Sequence, residues 1–199
     1  MTGETMSDIK TKFNEGLNTI KTLTGVSQAD FDTLREAGPV ALTWTDEIVQ
    51  VFYDTVYAHA RTAAVFHEGE RPDRENTLRT WYQSVFAEND TQEFWLKQGR
   101  IGFAHIRRHI HNEFMIGMAN RVTDMFSQKS LAAFGPEKGL QVALAFSRVL
   151  KSVVGLTAEG YDVASRMALL ESTGASEALL DRMVQDSVNQ VQDDLFKAS

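Results

Sequence analysis

Apolar residues recur three and four positions apart along most of this chain. That spacing lays a single stripe down an α-helix. Ile9, Phe13, Leu17, Ile20 and Leu23 predict a first helix over residues 6–24. Ser27 suits an N-cap for a short helix over 28–37, which Gly38-Pro39 breaks. Trp44, Ile48, Phe52, Val56 and Tyr57 mark a longer helix over 40–62, and a loop follows from His67 to Asp73. Leu78, Trp81, Tyr82 and Phe86 give an apolar side to a helix over 74–87, ended by Glu88-Asn89-Asp90. Further helices are predicted over 94–109 and 113–127 and, beyond Gly135-Pro136, over 137–171. Gly174 then stops the chain and Ser176 caps a last helix over 177–196. In that helix Val184, Val188, Val191 and Leu195 are spaced four, three and four, as in a coiled coil, but two heptads are too few to define one. Alternating strand patterns around Asn-Gly turns are absent, and the chain reads as all-α.

Composition narrows the chemistry. A chain of 199 residues, 43% hydrophobic and with twelve Phe, can bury one substantial core. A net charge of −7 opposes general binding to nucleic-acid phosphates. Without cysteine there is no disulfide, thiolate metal site, iron–sulfur cluster or covalently attached haem. The first 24 residues lack the apolar centre of a secretory signal, and no run of 18 apolar residues is present; the expectation is a cytoplasmic protein with no membrane partner.

Five histidines are the candidate ligands: His59, His67, His105, His109 and His111. A lone histidine on an apolar helix is more often a hydrogen-bonded core residue than a ligand. His105 and His109, at i and i+4, have the spacing of a zinc pair. A third ligand and a catalytic carboxylate are missing, however, and Arg107 and Arg108 would repel a dication. His109 and His111 read as exposed residues near a helix end. Nucleophile elbow, P-loop and dinucleotide fingerprint are all absent, and Asp193-Asp194 reads as a solvated face.

The segment Arg100-Ile101-Gly102-Phe103-Ala104-His105 is the most specific feature. It places an imidazole three residues after a glycine, where a flat apolar group could lie against a notched helix. It resembles the proximal helix of globin-coupled sensors and protoglobins, in which Arg-Ile-Gly-x-x-His recurs. Phe52-Tyr53-Asp54, Leu78-Arg-Thr-Trp81-Tyr82, Phe94-Trp95 and Leu156-Thr-Ala-Glu159-Gly-Tyr161 are individually weaker matches to the B, E, F and H helices of that family. Phe114-Met115 departs from the usual aromatic pair that opens the G helix. The short connection after His109 favours the sensor branch over archaeal protoglobins.

The resemblance implies a globin fold with an extra N-terminal helix and an extended C-terminal helical segment. Residues 1–24 would form a pre-globin helix and 25–172 the sensor-type globin. Residues 173–199 would form a C-terminal helix, serving as a linker to a transducer or as a dimerisation element. It implies haem b held by His105, with Tyr53 in the distal pocket donating to a diatomic gas, O2, CO or NO. The pocket would add Phe66, Leu78, Trp81, Tyr82, Ile101 and Met118, with Arg100 at a haem propionate. The residues alone leave ordinary core packing open for the aromatics, a backbone carbonyl as partner for the Tyr53 hydroxyl, and plain exposure for Arg100. The implied function is O2 sensing without catalysis, in a homodimer joined through 137–171. Leu140, Leu144, Val149 and Val153 look too numerous there for the core face of a monomer. Two alternatives remain: a haem globin that oxidises NO with a separate reductase, and a haem-free interaction globin such as those of stressosome proteins, which the presence of His105 disfavours.

Overall fold

Ser27 and Asp30 open the second helix in the way their spacing suggests. The Ser27 amide donates to the Asp30 carboxylate at 2.9 Å, satisfying a donor that the helix start would otherwise strand. The same carboxylate receives Arg148 from a distant helix at 2.6 and 2.9 Å. One acid thus caps one element and ties it to another.

The computed structural model describes the backbone of residues 3–197 and the side chains of residues 10–196. Among these the elements are helical: α1 (Gly3–Thr24), α2 (Gln28–Ala41), a 3-10 turn (Leu42–Trp44), α3 (Thr45–Ala58), α4 (Ala60–Ala63), α5 (Arg71–Val85), α6 (Gln92–Arg107), α7 (Asn112–Phe134), α8 (Pro136–Thr173) and α9 (Glu177–Lys197). The all-α expectation holds.

Several boundaries differ for local reasons. Pro39 does not end α2; it sits in the last turn, two residues before the helix ends at Ala41 and gives way to the 3-10 turn. The helix expected over 40–62 is divided into the 3-10 turn, α3 and α4, with His59 extended between the last two. Pro72 belongs to the first turn of α5 rather than to a loop, since a missing N–H costs nothing there. Thr91 accepts the Phe94 amide at 3.2 Å and starts α6 two residues before Phe94.

Two compact units divide the chain between Tyr161 and Asp162, within α8. The first holds the main core, where Phe126 stacks on Phe146 at 3.9 Å and Phe31 meets the edges of Phe94 and Trp95. Phe94-Trp95 therefore anchors α6 in the core. Trp95 Nε1 donates to Asp90 at 2.6 Å, and the same carboxylate receives Lys21 Nζ at 2.7 Å.

The Lys21 contact is part of how α1 is seated. Asn14 accepts from Gln92 at 2.7 Å, and the Thr24 and Ser152 hydroxyls lie 2.8 Å apart. Leu17 of the predicted stripe is buried and Leu23 is exposed. The Ile9 side chain lies outside the described residues.

α8 is long and apolar enough to cross a membrane, but 61% of its most apolar window is buried inside the protein. Val149 and Val153 belong to that core, while Leu140 and Leu144 are exposed. Half of the apolar excess read from this helix is thus ordinary packing.

In the second unit Arg166 bonds Asp181 at 2.7 Å. Val184, Val188, Val191 and Leu195 of α9 are all exposed.

Candidate functional site

Within the first unit, residues of α3, α5, α6, α7 and α8 line a half-open cavity of about 390 Å³. That falls in the range of pockets for small organic ligands. Its wall is overwhelmingly apolar, and His105 is part of it.

His105 reaches the cavity from the last turn of α6. Its Nδ1 is buried and has no hydrogen-bond partner. Burial holds its pKa below the usual histidine value, because an imidazolium would lose its hydration. The side chain is therefore neutral at pH 7. An orphaned Nδ1 is costly for a packing residue, and a neutral imidazole at a cavity wall is suited to metal ligation.

Helix geometry explains what surrounds it. Ile101 lies one turn earlier and lines the cavity. Gly102 is buried against α8: a β-carbon there would stand 2.6 Å from the Thr157 carbonyl oxygen and 3.4 Å from the Tyr161 amide nitrogen. The glycine therefore does not notch the helix for a flat ligand, as the sequence suggests. It lets α6 approach the α8 backbone, and Thr157 of α8 lines the same cavity.

Tyr53, buried on α3, also lines the cavity. Its hydroxyl donates to the Arg74 carbonyl at 2.8 Å, the backbone partner that the residue alone left open. Burial raises its pKa, with Arg74 partly opposing, so the phenol keeps its proton and remains a donor. Phe66 meets the Tyr53 ring edge-on at 6.0 Å and stacks on Tyr57 at 4.9 Å.

The other proposed pocket residues separate cleanly. Leu78, Trp81 and Tyr82 line the cavity from α5, and Met118 lines it from α7. Trp81 Nε1 donates to the buried Gln98 at 2.9 Å, linking α5 to α6. The Tyr82 hydroxyl is fully buried and donates to Ala41 at 3.0 Å, which marks it as core on that side. Arg100 is exposed and outside the cavity wall. His59, His67, His109 and His111 are exposed as well.

Two arginines that the resemblance does not place in the pocket, Arg74 and Arg108, also line the cavity. Arg108 pairs with Glu70 and reaches the Val65 carbonyl at 3.2 Å. Burial raises the Glu70 carboxyl, but the His67 amide and Arg108 outweigh it and hold the group below its usual range. Both arginines carry a usable signal: Arg108 follows His105 by three residues, and Arg74 precedes Leu78 by four.

A protoglobin sequence profile matches residues 13–166. The chain belongs to the protoglobin family. The match begins inside α1, so part of the helix expected to precede the globin lies within the family's span. Among solved structures this protoglobin is similar to the globin domain of a globin-coupled sensor from Geobacter sulfurreducens. The TM-score is 0.64 at 22% identity, covering 72% of this chain and 96% of that one. The fold is therefore a globin fold. Among curated proteins it is 20% identical over 100 residues to an uncharacterized protein of Methanocaldococcus jannaschii. That match covers 49% of this chain and about half, 53%, of the relative.

Proposed function

We propose that this protoglobin binds haem b at His105 and reports the binding of a diatomic gas, with O2 as the expected signal. The observation that carries the reading is a half-buried, neutral imidazole in the wall of an apolar cavity, its Nδ1 sealed in without a hydrogen-bond partner. Family membership implies the haem, and the residues present fit it. The cavity offers a ligand nitrogen, a phenol donor and apolar walls for a large flat guest. Haem would supply the gas-binding iron.

The chain's own residues supply the rest. His105 would supply the nitrogen that holds the iron. Gly102 sets the depth of α6 against α8, and so the position of that nitrogen. Tyr53 offers its hydroxyl to a polar gas ligand, which requires it to leave the Arg74 carbonyl. Leu78, Met118 and Phe66 exclude water, which strengthens any hydrogen bond made inside.

A reported signal needs a receiver. We assign that role to self-association, supported by the exposed Leu140 and Leu144 on α8 and by the exposed stripe of α9. A transducer is the further partner this reading calls for, and a cytoplasmic setting suits it.

The direct test is His105→Ala. The unaltered chain given haem should show a strong Soret band, and the variant should lose it while staying helical by circular dichroism. Equal retention with an unchanged ferrous spectrum would refute His105 as the ligand.

A further inference from the structure

Two basic side chains stand in an otherwise apolar cavity wall, and an apolar guest alone does not explain them. Arg74 and Arg108 both line it, and no Asp or Glu is among the described residues of the wall. The Nε of each arginine is buried without a hydrogen-bond partner. The two come from different elements, Arg74 from the first turn of α5 and Arg108 from the residue that caps α6. Arg108 uses a terminal nitrogen for Glu70 and Val65, which leaves Nε open. A guanidinium has five donors in a fork that suits carboxylates. Unsatisfied N–H groups in a pocket of low polarity are costly unless a guest completes them.

Resting on the haem reading, we infer that Arg74 and Arg108 receive the carboxylates of the porphyrin, the role expected of Arg100, which lies outside the cavity wall. The guest class is then specified further: a flat apolar ring bearing free carboxylates. Glu70 holds Arg108 in place by keeping its terminal nitrogen engaged while Nε turns to the guest.

The test compares porphyrins as well as variants. The full chain, freed of porphyrin, is loaded separately with iron protoporphyrin IX and with its dimethyl ester, and loss of each to an excess of apomyoglobin is timed. The unaltered chain should lose the ester at least about tenfold faster than the diacid, the factor that one charge-assisted hydrogen bond commands. Arg74→Gln and Arg108→Gln should each speed loss of the diacid by about tenfold and leave loss of the ester unchanged. Arg108→Lys keeps a cation for Glu70 but removes Nε, and should behave like the glutamine variant.

Equal retention of diacid and ester by the unaltered chain overturns the inference whether or not any variant folds, and leaves His105 as ligand standing. Variants that lose both porphyrins equally faster overturn it too, by showing a packing role. Failure of the unaltered chain to take up either porphyrin overturns this inference and the haem reading together.

Discussion

Gly102 and Thr157 lie so close that a β-carbon on the former would stand 2.6 Å from the carbonyl oxygen of the latter. The obstacle is backbone within a helix and cannot rotate aside. Gly102→Ala must therefore push α6 away from α8, at a cost of about 1–3 kcal/mol for overpacking. Urea denaturation of the porphyrin-free chain should show this loss. Haem affinity should fall as well, because His105 travels with the helix.

His105 makes the opposite prediction for stability. Its buried Nδ1 has no partner, so the fold carries an unsatisfied polar group. His105→Leu, close in size and apolar, should leave the porphyrin-free chain at least as stable, by up to about 1 kcal/mol. The Soret band should vanish in the same variant. A large loss of stability would mark the histidine as a packing residue.

Tyr53 has a single hydroxyl proton, given to the Arg74 carbonyl in this structure and to the gas in the proposed function. Tyr53→Phe removes the bond to the Arg74 carbonyl and should cost the porphyrin-free chain about 1 kcal/mol. In the loaded protein it should raise the O2 off-rate several-fold, to about tenfold. The CO off-rate should change much less, since bound CO is a poorer acceptor. Equal shifts for both gases would assign Tyr53 to packing alone.

Trp81 and Gln98 join α5 and α6 beside the cavity. Trp81→Phe leaves the buried Gln98 oxygen unpaired and should cost about 1–3 kcal/mol. Trp81→Phe combined with Gln98→Leu should recover most of that in a thermal melt, because both partners are then apolar.

Self-association is tested on exposed positions. Leu140→Glu with Leu144→Glu should shift a dimer to a 22.3 kDa monomer by light scattering at micromolar concentration, with helicity by circular dichroism unchanged. Val149→Glu belongs to the core and should unfold the chain instead. A monomer in the unaltered chain would remove the interface and its place in signalling.

The helical class and the cavity face of α6 could be read from periodicity, since Ile101 and His105 are one turn apart. Arg100 falls outside the cavity wall because five residues at about 100° each turn it roughly 140° away from His105, whereas Arg108 at three residues lies within about 60°. The Arg-Ile-Gly-x-x-His pattern marked the right helix but not the job of its glycine, which depends on the approach of a segment more than fifty residues later in the chain. The Tyr53–Arg74 bond was likewise out of reach, because it joins a side chain to a backbone carbonyl on another helix. Val149 and Val153 looked like surplus because periodicity counts apolar residues without counting the neighbours that cover them.

Gly99 differs from Gly102 in what confronts it. A β-carbon at 99 would stand 2.3 Å from the Phe13 ring of α1, a side chain rather than a backbone. Positions 13 and 99 therefore share a single fixed volume that can be divided in more than one way. Among homologues, those with alanine or serine at the place of Gly99 should carry something smaller than phenylalanine at the place of Phe13. At the place of Gly102 no such trade exists, and drift there should leave glycine as the only survivor.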